Sequence, residues 1–303
     1  MKVTKREDYD ALFTKDPLWQ GADGLYCWRF GSRLLWSFCD TLVGESKTMI
    51  HNSWAASDFA LSPLSFHTES YLSQPGFYDW PQDGYFDCKS LYLFSLVLKD
   101  NTQETFPLTG VEINQVVYQN GSLKQVARYP LMGLTSPAIF LGSEVLEEGD
   151  YLYLFGYTVK GASKEMVVAR MTKSEFPKGP LYFLTQEGWN LKPEHLSILA
   201  HDISPEFQIV YAHGSYYLAY IKGSISGEIY LSSSPNWLGP FPKGRKIYSC
   251  PEQSKRAICY NAKILSALSD DQHLLLSYHV NALTNEDLLH TDCYRPHFLE
   301  VSL

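Results

Sequence analysis

A chain of 303 residues, 45% hydrophobic and only 19% charged, can build a large buried core and lacks the polarity of a disordered segment. Its formal net charge of -8 argues against nucleic acid as a partner, because phosphate binding asks for a basic surface. No stretch approaches the roughly 18 uncharged residues of a membrane span, and the opening MKVTKREDYDALF has no apolar run behind its charges. No membrane contact and a cytoplasmic location are therefore expected.

Strand signals follow one another along almost the whole chain. GLYCWRF and RLLWSFC come first, then SLYLFSLVL (Ser90–Leu98), YLYLFGYTV (Tyr151–Val159) and EMVVARM (Glu165–Met171). FQIVYAHGSYYLAYI (Phe207–Ile221), GEIYLSSS (Gly227–Ser234), HLLLSYHVN (His273–Asn281) and the closing PHFLEVSL complete the series. Val, Ile, Tyr, Phe and Trp dominate these runs, and turn residues bound them. A helical turn or two is expected only near PEHLSIL. Aromatics reach 15%, which suits stacked layers of a β-fold and equally suits platforms for sugar rings. Cys27, Cys39, Cys88, Cys250, Cys259 and Cys293 show no CxxC and no paired spacing, so free thiols are expected and structural zinc is not.

One strand type recurs: RLLWSF, SLYLFSL, YLYLFGY, SYYLAYI and HLLLSYH start at residues 33, 90, 151, 215 and 273. Five similar β-units about sixty residues apart predict an all-β fold, a five-bladed β-propeller of one domain over residues 1–303. Its blades would cover roughly 20–60, 80–130, 135–185, 203–250 and 258–303. A two-sheet sandwich is the alternative, but its strands do not recur at such even long spacing. In a propeller, strand ends from every blade converge on one channel, so residues distant in sequence can share a site.

The first hairpin carries the sharpest signal. Phe30-Gly31-Ser32-Arg33 suits a type II′ turn, which makes the numbers of paired residues sum to 63. Asp23 and Asp40 then face each other, where like charges are destabilising. Either both cap turns, as Ala-Asp-Gly and Cys-Asp-Thr permit, or they form an acid/base or nucleophile pair with split acidities. A carboxylate separation of about 5–5.5 Å would go with a retaining glycosidase.

Other residues fit either packing or sugar contacts. Asp83 in DWPQDGYF precedes the second blade's strand much as Asp23 precedes the first, and Trp80 beside it could stack on a sugar. His51 and Asn52 follow the first hairpin by a strand length. Arg256 and Asn261 flank the entry to the fifth unit, where an Arg fork could hold a carboxylate, a phosphate or hydroxyls. His279 ends a strand, and Arg295 sits in YRPHF. No metal-ligand spacing, phosphate loop or G-x-S-x-G elbow occurs, so no cofactor is expected.

GADG, FCDT, HNSWA, WPQDG, SPEF, YYLAYI, GPF and SYHVN…YRPHF together resemble the arabinanase/xylosidase-like superfamily of five-bladed propeller glycoside hydrolases. The nearest likeness is to an endo-D-arabinanase-like family long catalogued as a domain of unknown function. The resemblance implies that Asp23 and Asp40 are the early acidic pair, and that Glu206 in SPEF is the general acid. It departs at Cys39, where the pattern has Gly, at His297, where it has Arg, and at Ser136, where related enzymes carry an Asp that tunes the acid. It implies a glycosidase acting on short oligosaccharides; an inverting glycoside phosphorylase and a non-catalytic sugar-binding propeller are the alternatives.

Overall fold

The computed structural model describes residues 1–14, 16–59, 64–100, 104, 106–134, 138–290 and 293–303. Ser136 lies outside them. The fold is all-β, and the chain divides into two compact units, Met1–Ser70 with Asp202–Leu303, and Tyr71–His201.

In the first unit the strands Tyr26–Phe30, Arg33–Phe38, Ser53–Asp58 and Ser65–His67 form one antiparallel sheet. Trp19–Ala22, Thr41–Val43 and Thr48–Ile50 form a smaller one. Gln208–Ala212, Ser215–Ile221, Glu228–Ser234 and Arg245–Ser249 make a third. The fourth runs Ala257–Ile264, His273–Ala282, Pro296–Ser302, and is completed by Lys2–Lys5 from the other end of the chain. The second unit holds a four-stranded sheet from Phe77–Phe86 to Ser122–Gly133 and a five-stranded sheet from Ile139–Glu148 to Gly188–Asn190. In each sheet of four or more strands, the recurrent aromatic strand of the sequence lies one strand in from an edge. Apolar alternation placed those strands correctly because each is covered on both faces: Leu91–Leu98 is buried throughout.

The core of the first unit gathers around Phe13, which is fully buried and meets Trp19, Trp36, Phe38, Phe66 and Phe298 at ring-centroid distances of 5.3–6.1 Å. Leu274, Leu276, Tyr278 and Ile229 anchor a second cluster, between the third and fourth sheets. In the second unit Phe94, Ile113, Leu152, Leu154 and Val167 do the same.

The expected helix at PEHLSIL is not formed. His195 takes a left-handed φ of 52°, which ends any helical run after Pro193, and Ser197 and Gln186 instead exchange backbone bonds with the 182–196 segment. The short helices are Glu7–Asp10 and Asn285–His290, with 3-10 turns at Ala11–Thr14 and Ser266–Leu268.

The first hairpin pairs as expected. Gly31 alone takes positive φ at the turn, Phe30 faces Arg33 and Tyr26 faces Ser37. The same register resumes at Ala22 opposite Thr41. Between these stretches the ladder opens: the Asp23 amide donates to the Asp40 carbonyl at 3.1 Å, and the Cys39 amide to the Asp23 carbonyl at 2.9 Å. Gly24 makes this opening possible. Its φ is 61°, and a Cβ there would lie 2.2 Å from the Cys39 sulfur. Cys39 fills the space that Gly24 leaves. Gly24→Ala should therefore cost about 3 kcal/mol, from overpacking and left-handed strain together. In denaturant unfolding, Cys39→Gly should relieve the packing part, so the double variant should be more stable than the two single effects sum to.

Candidate active site

The first unit brings three carboxylates into one neighbourhood, each supplied by a break in regular pairing. Asp23 and Asp40 come from the opening in the hairpin. Glu206 lies in the extended Ser-Pro-Glu segment just before Gln208–Ala212. All three act on Cys39: burial raises its thiol well above the ordinary range, and the charges of Glu206, Asp23 and Asp40 add to the effect. This convergence shows that the pair inferred from hairpin register is joined by Glu206.

Asp23 is the perturbed member. Burial, then the charge of Asp40, pushes its carboxyl up to about 8; Glu206 adds to this, while hydrogen bonds from Tyr260 and Tyr294 oppose it. The Tyr260 hydroxyl donates to Asp23 Oδ2 at 2.6 Å and in turn accepts from Asn281 Nδ2 at 3.4 Å. Tyr294 also donates to the Asp40 carbonyl at 3.2 Å. Burial first, and Asp23's charge second, raise both phenols far above the ordinary tyrosine range, so they remain donors. Asp23 is thus a carboxyl set deep among protein atoms that still keeps partial exposure.

Asp40 is approached by His51, whose Nδ1 lies 3.0 Å from Oδ1; the two side chains are 22% and 38% exposed. Solvent reaches this edge of the site. Asn52, next along, is buried. Glu206 pairs with Lys263, whose side chain is completely buried and whose ammonium also sits 3.6 Å from the centre of the Tyr26 ring.

A bulge places Tyr260 and Lys263. Tyr260 pairs with His279, but Lys263 pairs with Ser277, so one extra residue separates them on their own strand. Asn261 lies at the irregularity, with φ 53°. His279 and Ser277 share a face of their strand, so Tyr260 and Lys263 do too, although three positions apart they would otherwise point opposite ways. His279 is fully buried, with its ring 6.2 Å from Tyr260, and burial with the nearby Lys263 charge keeps the imidazole neutral.

Arg256 is exposed. Arg295 donates from Nε to the Gln20 carbonyl at 3.3 Å, tying the last strand to the first hairpin's approach. Trp80 and Asp83 belong to the second unit. Trp80 packs edge-on against Tyr78 and Phe106. Asp83 is not in a turn: it lies within Phe77–Phe86 at a bulge, and its carboxylate accepts from the Val145 amide at 2.8 Å. Lys263, Tyr260 and Tyr294 were not singled out from sequence. The available signal was a lone Lys in the apolar strand Ala257–Ile264, where a cation requires a partner. Among the described residues, no group of three or more His, Cys, Asp or Glu side chains is arranged to hold a metal ion, and no helix is long and apolar enough to cross a membrane.

Solved structures similar to this chain include enzymes that act on glycosidic bonds. The α-L-arabinofuranosidase of Podospora anserina, solved with cellotriose, matches at TM-score 0.56 and 11% identity over 95% of this chain and 92% of that one. A GH43_1 enzyme of Xanthomonas citri, solved with xylose, matches at TM-score 0.57 and 13% identity over 98% and 92%. A Bacteroides ovatus protein described as a "putative hydrolase" matches more closely, with TM-score 0.79 and 18% identity over 98% and 89%. No curated protein sequence matches the chain. Residues 65–302 match the model of a family described as Domain of unknown function (DUF5005), and the chain belongs to that family. Glu206, Tyr260 and Lys263 fall inside the matched segment, whereas Asp23, Asp40 and His51 precede it.

Proposed function

We propose that this protein is a glycoside hydrolase of short oligosaccharides, built as a single five-bladed β-propeller, with Asp23 as proton donor and Asp40 as its anionic partner. The observation that carries the reading is a buried, tyrosine-bonded Asp23 carboxyl that keeps its proton in the neighbourhood of Asp40. Asp23 holds its proton up to about pH 8, beside Asp40 at the solvent-accessible edge. Glycosidic cleavage needs a division of roles: one carboxylic acid protonates the departing oxygen while an anionic carboxylate acts at the sugar carbon or on water. Glu206 supplies the third charge. Its engagement with buried Lys263 fits a fixed anion better than the donor role that the family resemblance implies, because losing that charge would leave an ammonium buried alone.

Support for the propeller comes from the five sheets of at least four strands, each with the recurrent strand one in from an edge, and from Lys2–Lys5 completing the last sheet. The sugars bound by the structural relatives support an oligosaccharide substrate. Hydrolysis is favoured over phosphorolysis, since Lys263 is committed to Glu206, Arg295 to a carbonyl, and Arg256 lies exposed.

A panel of neutral oligosaccharides and aryl glycosides, incubated with the protein and with Asp23→Asn and Asp40→Asn, tests the reading. Cleavage by the native protein alone is expected; sugars bound intact by all three would establish the binding-module alternative. Tyr260→Phe gives a finer check. Loss of the 2.6 Å hydrogen bond removes an influence that lowers Asp23, so the alkaline limb of the pH–rate profile should move to higher pH.

A further inference from the structure

Lys263 is unexplained by packing alone. Moving an ammonium and a carboxylate out of water costs more than an isolated pair usually returns, and a well-packed apolar pair of the same volume is often as stable or more so. Yet Lys263 is fully buried, and the strand spends a bulge with a left-handed Asn261 to bring it to the same face as Tyr260. Tyr260 contacts Asp23, and Lys263 contacts Glu206. The bulge therefore couples two carboxylates through neighbouring side chains of one strand.

We propose that Lys263 is the positioning residue of this site: by its ion pair it holds Glu206 as an anion in the neighbourhood of the Tyr260–Asp23 contact, and so keeps the site's exchangeable proton on Asp23. The proposal rests on the glycosidase reading for the use of that proton, but not for its location. The groups that bear on Asp23 are Asp40, Glu206, Tyr260 and Tyr294. Those around the ammonium are Glu206, the Tyr26 ring, the Cys39 thiol and His279. Burial holds the thiol protonated and the imidazole neutral, so neither can replace Lys263 as a counter-ion. Without the ammonium, Glu206 would lie among Asp23, Asp40 and apolar walls and would take up a proton itself. Its charge would then no longer disfavour ionisation of Asp23. The order in which the carboxyls give up their protons would change.

The test needs no substrate. Carboxyl carbons labelled with 13C report the titration of Asp23 by NMR in the native protein, Lys263→Met and Lys263→Arg. Lys263→Met should lower the Asp23 titration by about one pH unit or more, the size of effect expected from a charge a few ångströms away. Lys263→Arg, which keeps the charge, should leave it near the native value. An Asp23 titration unchanged in Lys263→Met overturns the proposal. If that variant does not fold, Glu206→Gln with Lys263→Met has no unpaired buried charge and should show the same fall; no fall there also overturns it. If Asp23 titrates as expected but no sugar is cleaved, the glycosidase reading fails and the role of Lys263 stands.

Discussion

Asp23→Asn should lower turnover of oligosaccharides by about 10²–10⁴-fold, the usual worth of a positioned acid. The loss should shrink sharply on aryl glycosides whose leaving groups need no proton, such as dinitrophenolates. Equal losses on both kinds of substrate would remove Asp23 from the donor role. The same variant should be more stable than the native protein at neutral pH. Asp23 keeps its proton in the folded chain up to about pH 8, whereas in the unfolded chain it ionises near the ordinary carboxyl value of about 3.9. The folded state therefore binds the extra proton between those limits, and native stability falls as pH rises through that window. Asn does not titrate. The stability advantage of Asp23→Asn should grow from about pH 4 to about pH 8 and then level off, as read by thermal unfolding across pH. A difference that does not change with pH would show that Asp23 gives up its proton like an ordinary carboxyl.

Glu206→Gln should cost about 3–5 kcal/mol, because it strands the fully buried Lys263 ammonium without a counter-charge. Adding Lys263→Met should recover most of that loss, since the pair is then removed as a unit. The opposite pattern, a harmless Glu206→Gln, would mean that Lys263 finds another partner. Denaturant midpoints at constant m-value separate these outcomes. Activity should not return with stability in the double variant, because the third charge of the site is gone.

The two experiments together distinguish the two jobs that carboxylates perform here. On the proposed reading, Asp23 is kept at a cost to stability for the sake of its proton, a pattern common at functional sites. Glu206 is paired with Lys263, and its removal is expected to hurt the fold as much as the chemistry.

The sequence by itself determined the strands, their recurrence and the first hairpin. Alternating and continuous apolar runs, with Gly-Ser at a two-residue turn, are local signals, so the 63-sum register that sets Asp23 near Asp40 could be read without coordinates. It also marked Glu206 as a candidate, through the resemblance carried by SPEF. It did not show that Gly24 must lack a Cβ because Cys39 packs on it, a contact made across the open ladder. Nor did it show Lys263 and Tyr260 on one face. Strict alternation puts residues 260 and 263 on opposite sides, and only the bulge, fixed by pairing with the strand His273–Ala282, brings them together. The proposed division of roles among the carboxyls likewise rests on the tertiary structure. Acidity depends on burial and on charges tens or hundreds of positions away along the chain, and those distances exist only once the sheets have packed.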